Sequence, residues 1–147
     1  MEFIQAMVTC LRAVLLSLVT ILGGCAASKT LTPDDVEHLE SRAKARWELL
    51  EQRNWSAAYD FMSPAYRDVF TRDMYERRFS YMVQWELTSV EVVNYDAAAA
   101  VASVAVRVMS RPVKQTSAAS KAIGAVPSRF VEQWILQDGE WWYSANL

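Results

Sequence analysis

The side chains able to do chemistry are few in this chain of 147 residues. His38 is its only histidine, and Cys10 and Cys25 are its only cysteines. A histidine-based triad, a Cys–His pair or a Cys/His zinc site therefore cannot be assembled within one chain, and neither a metal nor a cofactor is expected. Acid–base work is left to carboxylates and phenols. Tyr59-Asp60 is one candidate, but adjacent helical residues point about 100° apart and do not converge on one substrate atom. Tyr59 reads as core and Asp60 as surface. Glu132 with Tyr143 is the better pair, because a carboxyl among aromatic rings has its pKa raised and could serve as a general base. Against that, Glu132 could pair with Arg107 on a neighbouring strand or lie at an open rim, since structural ion pairs also perturb pKa values. His38 follows the capping acids of the first helix and reads as surface.

The elements that must position these residues can be read from period and punctuation. Thr32-Pro33-Asp34-Asp35 starts a helix: Thr32 can cap it, Pro33 suits the first position, and the acids face the positive end of the dipole. Val36, Leu39, Ala43, Trp47 and Leu50 then recur at helical spacing, and this helix should end near Arg53-Asn54. Shorter helices are expected over Trp55–Met62, from Ser63-Pro64, and from Thr71 through Tyr75 and Phe79. After Trp85 the period becomes alternating, giving strands over Trp85–Val93, Ala99–Met109, Phe130–Gln137 and Trp141–Ala145, with a turn at Asn94-Tyr95-Asp96. Asp138-Gly139 is a strong two-residue hairpin signal. It sets Gln137 opposite Glu140 and Trp134 opposite Tyr143. Phe130, Glu132, Trp134, Leu136, Trp141 and Tyr143 then share one face, apolar except for Glu132. The fold class is α+β: N-terminal helices packed on a curved antiparallel meander of about four strands.

The first 24 residues are different in kind. Sixteen are hydrophobic and only Glu2 and Arg12 are charged. The apolar run Ala13–Leu22 is half the roughly 20 residues a spanning helix needs, and with Arg12 before it and small residues after it, it reads as an export signal. Leu22-Gly23-Gly24-Cys25 resembles the lipobox of bacterial lipoproteins. That resemblance implies cleavage after Gly24, lipidation of Cys25 and a membrane-lipid partner; Ala26 after the cysteine implies the outer membrane, facing the periplasm. The acidic Met1-Glu2 start departs from the pattern, and Met7 offers an alternative start. The expected organisation is a signal peptide at 1–24, a lipidated tether at 25–31, of which Ala26 to Leu31 reach about 20 Å when extended, and one domain at 32–147.

A second resemblance rests on Arg46-Trp47-x-x-Leu50, then Asn54-Trp55-x-x-Ala58-Tyr59-x-x-Met62-Ser63-Pro64-x-Tyr66-Arg67, and finally Glu132-x-Trp134 followed by Asp138-Gly139-x-Trp141. Together they resemble the NTF2-like (cystatin-like, SnoaL-like) cone fold of small exported bacterial proteins. A cone hosts isomerases, dehydratases, carriers and interaction modules alike, so it implies a scaffold more than an activity.

The remaining signals are electrostatic. Net charge is −2, which argues against nucleic acid as a partner. Six Trp, six Tyr and five Phe exclude a disordered chain. Arg67, Arg72, Arg77 and Arg78 alternate with acids and read as a solvated helix surface. Residues 112–127 read as a long flexible loop. Between Arg107 and Phe130 lie Arg107, Arg111, Lys114, Lys121 and Arg129 and no acid, so Lys114 and Lys121 are candidates for contact with an anionic surface or partner beside the membrane. The favoured expectation is a non-enzymatic interaction or scaffold module of the cell envelope with an envelope protein as partner. The alternatives are a carrier holding a small apolar ligand among Tyr59, Trp134, Trp141 and Tyr143, and an isomerase or hydratase using Glu132 and Tyr143.

Overall fold

Thr32 starts the first helix, α1 (Pro33–Glu51), as its sequence dictates. Its hydroxyl accepts the Asp35 amide at 3.1 Å, and the Asp35 carboxylate accepts the Thr32 amide at 3.0 Å, a reciprocal capping box. The chain is seen here in a computed structural model that describes residues 30–79, 83–114 and 116–145. The leader 1–24 with Gly24, Cys25 and most of the tether 25–31 lie outside the described residues.

Three short helices follow: α2 (Trp55–Ala58), continued by a 3-10 turn (Tyr59–Phe61), α3 (Pro64–Val69) and α4 (Arg72–Glu76). Asn54, Ser63 and Thr71 each place a side-chain oxygen on the first free amides of the next helix, which is why so short a run of helices keeps defined starts. Four strands come next, β1 (Val83–Asp96), β2 (Val101–Pro112), β3 (Val126–Gln137) and β4 (Glu140–Ser144). They pair antiparallel in chain order as one meander. The protein is therefore α+β, with helices laid on a curved, unclosed antiparallel sheet, consistent with a cone. Register shifts between Leu87 and Ser89 and between Val92 and Asn94 add residues to β1 and bend it.

The β3–β4 hairpin has the expected register, Gln137 opposite Glu140 through Trp134 opposite Tyr143. Asp138 and Gly139 sit at φ 54° and 81°, the positive values a type I′ turn requires. Trp134, Trp141 and Glu132 are buried on the inner face with Val104, Val106 and Val108 of β2. Phe130 stacks on Trp47 at 5.2 Å, which ties that face to α1.

Several boundaries differ from expectation: β1 begins at Val83, before Trp85, and β2 runs to Pro112, past Met109. Asn94-Tyr95-Asp96 is strand, not turn. The reversal lies at 97–100, where the Asp96 carboxylate accepts the amides of Ala98 and Ala99; a side chain organises a run of alanines that carries no turn signal of its own. β3 begins at Val126, four residues before Phe130. Its Pro127 is tolerated because β4 pairs only with Gln133–Gln137, leaving the first half of β3 as an edge. The segment between β2 and β3 is correspondingly shorter than the expected loop at 112–127, and it carries a short helix, α5 (Ala118–Ile123).

The outer edges of β1 and β4 are met by the helical half. On β1, the amide of Val92 donates to Glu40 at 2.9 Å and that of Leu87 to Glu51 at 3.4 Å. On β4, the carbonyl of Trp141 accepts Arg42 Nε at 2.8 Å and that of Tyr143 accepts the amide of Ser63 at 3.0 Å. These contacts satisfy groups that would otherwise template pairing with another chain. They also fix direction: α1 runs antiparallel to β1, so the β2–β3 connection lies at the end of the domain opposite Leu31.

Gly139 has open space where a Cβ would stand, so Gly139→Ala costs only backbone strain. Its urea unfolding midpoint should fall by the equivalent of about 1–2 kcal/mol.

Candidate functional site

Glu132 is buried on the inner face of β3, its side chain 5% exposed, and it meets an equally buried Arg46 from α1. Arg46 Nη1 donates to Oε1 at 2.6 Å, Trp47 Nε1 donates to the same oxygen at 2.9 Å, and Trp134 Nε1 donates to Oε2 at 3.1 Å. A carboxylate cannot be taken out of water without such partners, and here a cation and two indoles supply them. This corrects both earlier readings of Glu132. Arg107 faces the other side of the sheet and pairs with Glu91 at 3.2 Å, and Glu132 lies deep inside, not at a rim. Nor is it a free base, because each of its oxygens is already held by a donor.

Arg46 is the residue that sequence reasoning missed. Its position carried a signal: it lies three after Ala43 and seven after Leu39, on the same buried stripe of α1, where an arginine demands an internal acid. The Tyr143 ring lies 3.8 Å from its guanidinium carbon, a cation–π contact in a dry setting. Burial is the largest influence on Arg46 and favours loss of its proton. Glu132, then Tyr75 and Tyr143, outweigh it, so its pKa is raised and it stays charged.

The expected pocket residues separate into two groups. Glu132, Trp134 and Tyr143 come together, with Trp134 and Tyr143 rings 5.9 Å apart. Tyr59 does not join them. It packs on Tyr75 at 5.6 Å and donates its hydroxyl to the Phe70 carbonyl at 2.6 Å. Trp141 is core, edge-on to Tyr95 at 6.0 Å. Asp60 is exposed and pairs with Arg72 at 2.7 Å, and His38 is exposed. In the arginine group, Arg77 is a surface partner of Asp73. Arg67 lies 5.0 Å from the Trp142 ring, and Arg78 donates to the Tyr66 hydroxyl at 2.9 Å, so these two are not plain solvated charges.

Beside the ion pair is a cleft of about 230 Å³ lined by Arg46, Tyr75, Arg78, Phe79, Tyr143 and Ala145. The Tyr75 hydroxyl lies near the Arg46 guanidinium and feels its charge, yet it makes no hydrogen bond of acceptable geometry, and neither does Arg46 Nε. Burial raises the phenol pKa of Tyr75 and of Tyr143, with Arg46 opposing in each case. Among the described residues, no three His, Cys, Asp or Glu side chains converge as metal ligands. The fold and site thus define an α+β domain whose helices are joined to a curved sheet through a buried ion pair. No family model matches the chain, and no curated protein matches it.

Two outcomes follow. Glu132→Gln leaves Arg46 buried without its counter-charge and should lower stability by about 3–5 kcal/mol in urea unfolding; Arg46→Met with Glu132→Leu should recover most of that loss. The raised phenols hold protons in the folded state that the unfolded chain releases above their ordinary value of 10.0. Their stabilisation is therefore complete below pH 10 and lost as pH rises through the folded values. Tyr75→Phe should make alkaline unfolding, followed by circular dichroism, less steep.

Proposed function

We propose that this protein is a lipid-anchored envelope protein of the bacterial outer membrane, with an NTF2-like domain that acts as a non-enzymatic interaction module. The observation that carries the non-enzymatic reading is the saturation of Glu132 by Arg46, Trp47 and Trp134. The carboxylate best placed to be a general base instead joins the helices to the sheet. An apolar-ligand carrier has little support as well: Trp134 and Trp141 are packed solid, and the adjoining cleft is lined by two arginines, which an apolar ligand would leave desolvated and unpaired.

The anchor is assigned to Cys25, through the lipobox Leu22-Gly23-Gly24-Cys25. Among the described residues no helix is long and apolar enough to cross a membrane. The tether would join the domain at Leu31, which packs against the core at the start of α1. A helix of 19 residues spans about 28 Å at 1.5 Å per residue, and the basic β2–β3 connection lies at its far end. Arg111, Lys114, Lys121 and Arg129 are exposed there and, among the described residues, form no ion pair. A surface held away from the anchoring lipid is better placed for an acidic protein partner in the periplasm than for that lipid.

Two measurements test this reading. Cys25→Ser should move the protein from the outer-membrane fraction to the soluble periplasmic fraction; continued membrane retention would overturn the anchor. Lys114→Glu with Lys121→Glu should abolish co-purification of the crosslinked envelope partner while leaving the thermal midpoint unchanged, and unchanged co-purification would remove the connection from the interface.

A further inference from the structure

The cleft beside the ion pair has a chemistry of its own, independent of how the domain is anchored. We propose that it binds the carboxylate of a small organic acid. Its polar lining is made of donors: the Arg46 guanidinium, the Tyr75 and Tyr143 phenols and the Arg78 guanidinium. Two of these donors, Arg46 Nε and the Tyr75 hydroxyl, are buried and make no hydrogen bond of acceptable geometry, although the phenol lies close enough to the guanidinium to interact with it. Buried polar groups in native proteins are nearly always paired, and a space walled by orphaned donors is one that an acceptor completes.

Charge selects an anion. Glu132 engages Nη1 of Arg46 and neutralises one positive charge. Arg78 donates to the neutral Tyr66 hydroxyl and, among the described residues, forms no ion pair. The raised pKa values of Tyr75 and Tyr143 keep both phenols as donors at neutral pH. The cleft therefore carries one uncompensated positive charge.

The apolar walls select an organic acid over inorganic phosphate. The Tyr143 ring covers a face of the Arg46 guanidinium at 3.8 Å, and the in-plane N–H groups remain to meet a carboxylate edge-on. Phe79, Ala145 and the Tyr143 ring supply apolar walls for the body of the acid. A volume of about 230 Å³ admits a molecule of roughly one ring.

The test uses the full chain in non-ionic detergent micelles, with benzoate as probe and benzamide and inorganic phosphate as comparisons, followed by calorimetric titration. Benzoate should bind saturably, with benzamide and phosphate at least about tenfold weaker. Arg78→Gln, at the exposed mouth, and Tyr75→Phe, which keeps the ring and removes the orphaned hydroxyl, should each weaken benzoate about tenfold, the size of one hydrogen bond to a charged group. Arg77→Gln, an exposed neighbour outside the cleft, should leave affinity unchanged. Absence of saturable benzoate binding overturns the proposal. So does equal affinity for benzamide or phosphate, and so does benzoate affinity unchanged in both Arg78→Gln and Tyr75→Phe.

Discussion

A buried ion pair organises this molecule. Arg46 and Glu132 are far apart in sequence, belong to the helical and the sheet halves, and meet at 2.6 Å with almost no exposure. Each would be intolerable inside alone. Together, and with indoles from Trp47 and Trp134 completing the carboxylate, they form the buried polar contact through which α1 is keyed to the sheet. Apolar packing of Leu39, Ala43, Trp47 and Leu50 tolerates small shifts of a helix. A guanidinium that must find one carboxylate does not. The geometry of the adjoining cleft is a by-product of the same demand, since the ring of Tyr143 and the hydroxyl of Tyr75 gather around the buried cation.

The edges show the same economy of polar groups. The outer strands of an open sheet invite further pairing, and here both β1 and β4 are met by side chains or backbone of the preceding helices. Glu40 and Glu51, which look like ordinary solvent-facing acids of α1, serve as acceptors for strand amides. The helical half is thus both the lid over the apolar face and the stop on each side of the sheet. Because the same contacts set α1 antiparallel to β1, they decide that the chain enters the domain at one end and presents its basic connection at the other.

Much of the fold was legible in the sequence because its signals are local. Thr32-Pro33 and Asp138-Gly139 impose backbone geometry with residues that touch, and the inward face of β3 follows from alternation once the hairpin register is set. The strand ends were less legible. Asp96 makes its turn with a side chain over featureless alanines, and Pro127 looks like a loop residue until half of β3 proves to be an edge. The site was half legible. Glu132 stood out as a lone acid on an apolar face, but its partner was sought on a neighbouring strand, where sequence distance is short and pairing is predictable.

Sequence alone set the demands of helices first, a meander after and one inward carboxylate needing a partner, and it held, unread, one arginine on the stripe that α1 buries. Only the tertiary structure decided that these last two answer each other. That choice depends on the crossing of a helix over a sheet, which is set by the summed packing of many side chains and has no periodic trace in the chain. The same crossing left Arg46 Nε and the Tyr75 hydroxyl buried with no hydrogen bond of good geometry, a feature that no local pattern could announce.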